Sequence, residues 1–481
     1  MTRCAFPLLF EISKPGRKAY DLPALDVPRK DGLLPDAVKA EKALHLPELA
    51  EVDLVRHFVG LSRRNFGVDN GFYPLGSCTM KYNPKIDEEV CNNFSGLHPF
   101  ADRDCVQGAV DMMLGLQEAL CEVAGFDAFT LQPAAGAHGE YTGLTLIKAY
   151  HDNRGDFDRK IIIVPDAAHG TNPASAALAG FKIREIVSAP DGGVDLDALR
   201  AAMGPDVAGF MLTNPNTLGL FDRNIGEITK IVHEGGGLCY YDGANFNAIM
   251  GVVRPGDMGF DVMHINLHKT FGTPHGGGGP GSGPVGCKKD LIPFLPIPVV
   301  VREGEHGKLD FKRPLSVGKV KAFYGNFSVM ARAYAYILSL GGEGLREASQ
   351  NAVLNANYIF SHLKGTYGIP HDRICMHECI VNPGELEDYG VHTADIAKAL
   401  IDFGYHPPTI YFPLIVHEAL MIEPCESESR ETLDAFIDAM KQIAKLAKED
   451  PERMHKMPLT TPVGRPDEVG AARNPVVKCE W

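Results

Sequence analysis

The sequence predicts an α/β protein whose large domain is built on a mainly parallel sheet and is followed by a smaller α+β domain. Between Leu120 and about Val285, short apolar runs alternate with helical stretches and turn signals. The clearest run, Ile161 to Val164, is apolar and β-branched throughout, as expected of a strand buried on both faces. Each later run ends in polar residues, and open parallel sheets bind ligands beyond the carboxyl ends of their strands.

In order along the chain, residues 1–100 are punctuated by Pro and Gly and weakly periodic, so they read as an arm laid over a neighbour. Residues 101–338 form the predicted large domain. Phe129 to Gln132 is a short strand, and Pro133-Ala134-Ala135-Gly136-Ala137 leads into a helix through Leu144, Ile147 and Lys148. Pro165 stops the strand Ile161 to Val164. Val207 to Leu212, Leu238 to Tyr241 and Val262 to Ile265 end in Thr213-Asn214, Asp242 and Asn266-Leu267-His268-Lys269. Residues 339–481 form the predicted small domain. It contains a helix over Glu343 to Lys364, a strand over Ile374 to Val381, a helix near Ala394 to Phe403 and an apolar run at Leu420-Met421-Ile422. In its last helix Leu433, Phe436, Ile437, Met440 and Ile443 share one face.

Of the 481 residues 45% are hydrophobic and 22% charged, enough apolar surface for a large core. The net charge of −14 disfavours nucleic acid and anionic lipid surfaces. The longest apolar stretch, Leu291 to Val301, is short of the roughly 18 residues of a membrane span and is interrupted by prolines. The chain therefore reads as cytoplasmic, with no membrane or nucleic-acid partner. The 11 scattered cysteines include no C-x-x-C pair and fit a reducing compartment. Cys375-Met376-His377-Glu378-Cys379 has zinc-like ligand types but no fourth ligand nearby, so buried thiols are the expected reading.

The segment His268-Lys269-Thr270 carries its glycines, Gly276 to Gly279, after the lysine. A nucleotide phosphate loop needs them before it. Gly281-Ser282-Gly283-Pro284-Val285-Gly286 matches a dinucleotide fingerprint in form only, because Pro284 and Cys287-Lys288-Lys289 open no helix. Asp242 lies 27 positions before Lys269, room for one crossover and one more strand, so both side chains can emerge on one sheet edge. His169 follows Ile161 to Val164 in the same way. Ala135-Gly136-Ala137 places small residues ahead of a helix whose first amides favour an anion. An anion cradle, an imidazole ring, a carboxylate and a lysine are the parts required by pyridoxal 5'-phosphate, with a Schiff base on Lys269 and Asp242 keeping the pyridine nitrogen protonated. Lowering a lysine pKa from about 10.4 to about 7.5 disfavours the ammonium by roughly 4 kcal/mol, so Lys269 is expected outside any salt bridge.

Asn266-Leu267-His268-Lys269-Thr270-Phe271 running into Pro274-His275-Gly276 resembles the lysine segment of the glycine-cleavage P-protein family, glycine dehydrogenase (decarboxylating). The resemblance extends to Leu75-Gly76-Ser77-Cys78-Thr79-Met80-Lys81, Gly139-Glu140-Tyr141, Ala168 to Ser175, Thr213-Asn214-Pro215 and Phe323-Tyr324-Gly325-Asn326-Phe327. The length and the lysine match the second subunit of the two-subunit form. The resemblance implies a fold-type I, aminotransferase-like enzyme that decarboxylates glycine and passes the aminomethyl group to the lipoyl group of the H-protein. It also implies pairing with a homologous first subunit, two of each. Lys269 carries over as catalytic, and Ala135, Gly136, Ala137, His169, Thr213, Asp242, Ala244, His268 and Thr273 as cofactor-binding. Ser77, Cys78 and Thr79 carry over as a substrate-side loop. Ala135 departs from the hydroxyl residue of single-chain relatives, so backbone amides, Thr273 or the glycine run would complete the phosphate site. No metal is implied. Another fold-type I enzyme, an amino-acid decarboxylase or desulfurase, and a non-catalytic scaffold subunit are the alternatives.

Overall fold

The computed structural model describes residues 6–40, 42, 44–98, 100–275 and 281–477, with Arg103 described by its backbone alone. The glycine run at 276–279 lies outside the described residues. The chain divides into two compact units, Met1–Gly71 with Pro458–Trp481, and Phe72–Met457. In the first, extended chain leads to the helix Glu51–Ser62 and is tied to it by an Arg17–Asp53 ion pair at 2.8 Å.

The second unit is organised by a seven-stranded sheet. Its strands are β1 (Ala128–Thr130), β2 (Ile161–Pro165), β3 (Lys182–Ile186), β4 (Val207–Thr213), β5 (Leu238–Gly243), β6 (Val262–Ile265) and β7 (Val285–Cys287), in the order β1-β7-β6-β5-β4-β2-β3. The pairings among β2 to β6 are parallel, and β7 runs antiparallel to both neighbours. Every residue of β4 and β6 is buried. Alternate residues enter two different cores. Ile163, Phe210, Tyr241 and Met263 pack with the helices Gln107–Ala124 and Ile225–Glu234. Ile162, Met211, Tyr240 and Val262 pack with the helix Gly136–Asn153. The uninterrupted apolar runs follow from this burial on both faces.

A hairpin of β8 (Val299–Glu303) and β9 (His306–Asp310) follows. The helical stretch Phe327–Leu363 is broken at Gly341, where φ is 63°, just before the predicted start at Glu343. A third core gathers Phe72, Ile359 and Phe360 with Leu433, Phe436, Ile437, Met440 and Ile443 of the helix Arg430–Glu449. It packs beside the antiparallel sheet of β10 (Cys379–Val381), β12 (Leu420–Ile422) and β11 (Thr409–Ile410). The strand predicted over Ile374 to Val381 is shorter than expected. The Met376 amide donates to the Gly219 carbonyl and the Cys375 amide to Asn357 Oδ1, so that segment spends its donors outside the sheet. Cys375 and Cys379 are buried free thiols. No helix among the described residues is long and apolar enough to cross a membrane.

Candidate active site

At the carboxyl edge of the sheet, Asp242 of β5 lies in register with Thr213 of β4 and His264 of β6. β6 then runs through Asn266 into the short helix Leu267–Thr270, which carries Lys269. A cavity of about 140 Å³ is lined there by Ser77, Gly136, Ala137, Glu140, His169, Thr171, Thr213, Thr217, Asp242, Ala244, Asn245, His264, Asn266 and Lys269. Residues from across nearly 200 positions thus converge because parallel strands all open on one edge.

Asp242 is buried, and one carboxylate oxygen accepts from Asn172 Nδ2 at 2.8 Å. The other accepts from the Ala244 amide at 2.9 Å and lies 3.3 Å from His264 Nε2. His264 Nδ1 is in turn 2.9 Å from the Tyr240 hydroxyl. Burial raises the Asp242 pKa, but His264, the two hydrogen bonds and Lys269 outweigh it and hold the carboxyl below its usual value. It therefore stays an anion facing the cavity. Lys269 Nζ donates to the Ser77 carbonyl at 2.8 Å and forms no ion pair with the described residues, as its proposed chemistry requires. His169 lines the same cavity. Its Nδ1 is 2.9 Å from Thr171 Oγ1, which donates to Glu140 at 2.8 Å, and its ring meets Phe412 edge-on at 5.4 Å.

The helix Gly136–Asn153 starts at the cavity with no acidic residue in its first turn and no side-chain cap. Its first amides lack intrahelical acceptors, so this end favours a negative charge placed against it. A Cβ at Gly136 would come within 2.4 Å of Asn266 Nδ2, so glycine is what allows that approach. Thr213 Oγ1 and one oxygen of Asn266 are buried without a hydrogen-bond partner among the described residues, leaving polar atoms for a ligand to satisfy.

Five expected site residues stand back from the lining. Ala135 precedes the helix, and its carbonyl accepts from the Gly139 amide, closing the first turn. The His268 ring turns toward Ser282 and meets His275 edge-on at 5.1 Å. Burial, then His275 and Lys269, push its pKa down to about 3, so it is neutral. Thr273 is buried off the cavity. Of the substrate-side loop, Ser77 alone reaches the lining. Thr79 is turned away to Glu423, which accepts from its hydroxyl at 2.6 Å and its amide at 3.0 Å, and Cys78 lies between them. Sequence reasoning missed His264, Thr171 and Asn172 as supports, although the last two lie in the quoted Ala168 to Ser175 segment. His264 had a readable signal, since it lies in the predicted strand Val262 to Ile265, next to β5, where it pairs directly with Asp242.

The family model for the glycine dehydrogenase C-terminal domain matches residues 348–457. The chain is 61% identical over 476 residues to a protein of Caldanaerobacter subterraneus subsp. tengcongensis named "Probable glycine dehydrogenase (decarboxylating) subunit 2", covering 98% of each chain. It is 59% identical over 477 residues to a protein of the same name from Alkaliphilus oremlandii, again covering 98% of each. Among solved structures it is similar to glycine decarboxylase (P-protein) of the glycine cleavage system in inhibitor-bound form. The TM-score is 0.70 at 19% identity, over 85% of this chain and 93% of that one. It is also similar to the cysteine desulfurase of Thermococcus onnurineus NA1, with a TM-score of 0.59 at 16% identity, over 78% and 95% of the two chains. The architecture is that of fold-type I, with its mainly parallel sheet and one antiparallel strand. With full-length identity at this level, the chain belongs to the glycine dehydrogenase (decarboxylating) subunit 2 family.

Proposed function

We propose that this chain binds pyridoxal 5'-phosphate in the Asp242–Lys269 cavity and uses it to decarboxylate glycine, passing the aminomethyl group to the lipoyl disulfide of the H-protein with release of CO2. The observation that carries this reading is the pairing, in one cavity, of a buried carboxylate kept ionised with a lysine that forms no ion pair with the described residues, beside an uncapped helix start. When bound, the cofactor supplies an electron sink for the pair released as the carboxylate leaves. Lys269 would hold it covalently, Asp242 would keep its ring nitrogen protonated, and the amides of Gly136 and Ala137 would bind its phosphate.

The chain's own residues set the protons. Asp242 is held anionic from behind by His264 and Asn172, so it stabilises positive charge placed against it. Lys269 Nζ donates to the Ser77 carbonyl, which holds the amine at the cavity wall. His169, with Nδ1 engaged by Thr171, lines the cavity, and its ring would stack on the cofactor. The name of the relatives includes "subunit 2", which supports pairing with a first subunit, and the proposed assembly holds two of each.

Exchange of the glycine carboxylate with labelled bicarbonate, measured with H-protein and first subunit present, tests the activity. Exchange is expected, and its absence would reject the reading. Borohydride reduction of the holoenzyme is expected to fix the cofactor on the peptide containing Lys269, with Lys269→Ala giving no adduct.

A further inference from the structure

Behind the Lys269 side of the cavity lies a pair of carboxyl groups that the proposed chemistry does not use. Glu378 precedes β10 and Glu423 follows β12, and both side chains are fully buried. Glu378 Oε2 accepts from the Ser77 amide at 2.8 Å. Glu423 accepts from both the amide and the hydroxyl of Thr79. Ser77 and Thr79 both have positive φ, 63° and 45°, a conformation that non-glycine residues hold only when their surroundings impose it. The turn is further pinned by the Glu423 amide on the Pro74 carbonyl and by Thr409 Oγ1 on the Gly76 carbonyl. Its purpose is legible at Ser77, whose amide is held by Glu378 while its carbonyl accepts from Lys269.

Oxygens of the two carboxyls and a nitrogen of His377 lie within 4.8 Å of one another. A metal is disfavoured, because Ser77 and Thr79 already occupy three of the four carboxyl oxygens and leave only Glu378 Oε1 without a partner. Two ionised carboxylates this close and this buried repel too strongly to coexist, so one holds a proton. His377 does not neutralise them: neither ring nitrogen has a hydrogen-bond partner among the described residues, and burial, then Lys269 and Lys81, keep it neutral. Among the described residues, the other titratable groups facing the pair are Cys78, Cys375, Cys379, Cys425, Lys81 and Lys269. Glu423 accepts one hydrogen bond at each of its two oxygens, which suits the anion, whereas Glu378 Oε1 is free to carry the proton.

We propose that Glu378 and Glu423 are a positioning pair holding a single proton, on Glu378, that fixes the Ser77–Thr79 turn against Lys269 and places one negative charge behind that lysine. The inference deepens the cofactor reading, since it takes Lys269 as the reacting amine. The test labels the full chain, purified without cofactor, with acetic anhydride across a pH series and follows the Lys269 peptide by mass spectrometry. Glu378→Gln, an isostere of the protonated acid, is expected to leave the labelling midpoint where it is. Glu423→Gln removes the anion while burial, the larger cause, keeps the Glu378 carboxyl protonated, and is expected to lower the midpoint by about one pH unit, roughly tenfold more free amine at fixed pH. Equal shifts in both variants, or none in Glu423→Gln, would overturn the proposal. Independently of any variant's folding, the wild-type chain at about pH 8, well above the ordinary carboxyl range, is expected to show the infrared band of a protonated carboxylic acid. Its absence would also overturn the proposal. Labelling needs no cofactor, so a missing borohydride adduct alongside the expected midpoints would fail the cofactor reading alone.

Discussion

Asp242 shows how little of a residue's function lies in its identity. An aspartate buried alone would take up a proton, and here the charge survives because His264, Asn172 and the Ala244 amide surround it. Asp242→Asn keeps the size and loses the anion. Carboxylate exchange is expected to fall by about a hundredfold or more, with the far-ultraviolet spectrum unchanged. Glu423 gives a pH prediction. Burial, opposed by Thr79 and the two lysines, pushes its pKa up to about 7. The folded chain then binds this proton more tightly than the unfolded chain. The contribution to stability is full below the ordinary glutamate value and is lost as pH rises through about 7. Urea unfolding across that interval is expected to show the decline, and Glu423→Gln to make it shallower, the part due to Glu378 remaining.

At the scale of elements, the site depends on close approaches between backbones. Gly283 packs on the start of the helix Gly136–Asn153. A Cβ there would lie 2.1 Å from the Ala135 carbonyl oxygen and 3.2 Å from the Gly136 nitrogen. Because backbone atoms cannot swing aside as a side chain can, Gly283→Ala is expected to cost about 1–3 kcal/mol in chemical unfolding. It should also weaken cofactor retention, since it displaces the amides proposed to hold the phosphate. Local pattern located β1, β2, β4, β5 and β6, since burial on both faces leaves an uninterrupted apolar run in strands such as β4 and β6, but it did not anticipate the half-exposed edge strand β3 or the short β7. It overextended the strand before Val381, where alternation is mimicked by residues whose amides bond to Gly219 and Asn357.

Over the whole molecule, the first unit stands out for the apolar side chains it leaves in water, with Leu22 86% and Leu44 80% exposed. Such surface is costly unless something covers it. If the first subunit does so, limited proteolysis of the isolated chain is expected to cut within residues 20–46, and mixing with that subunit to protect the segment. Light scattering of the mixture should give the mass of two copies of each. Cutting that persists in the mixture would leave this surface outside the assembly.

Lys269, Asp242, His169 and the helix start at Gly136 were legible in the sequence because each sits at the end of a strand or the head of a helix, positions that local periodicity reveals. The clamp on the Ser77 turn was not. Glu378 and Glu423 stand 301 and 344 positions from the residues they hold. Nothing local distinguishes them from surface glutamates. His268, adjacent to the lysine in sequence, is carried off the cavity because successive residues of a helical turn point in different directions. The sequence alone determined which elements form and which residues end them. Only the tertiary structure decided which of those residues share a cavity and what charge each holds there, because burial and opposing neighbours depend on chain segments that periodicity cannot pair.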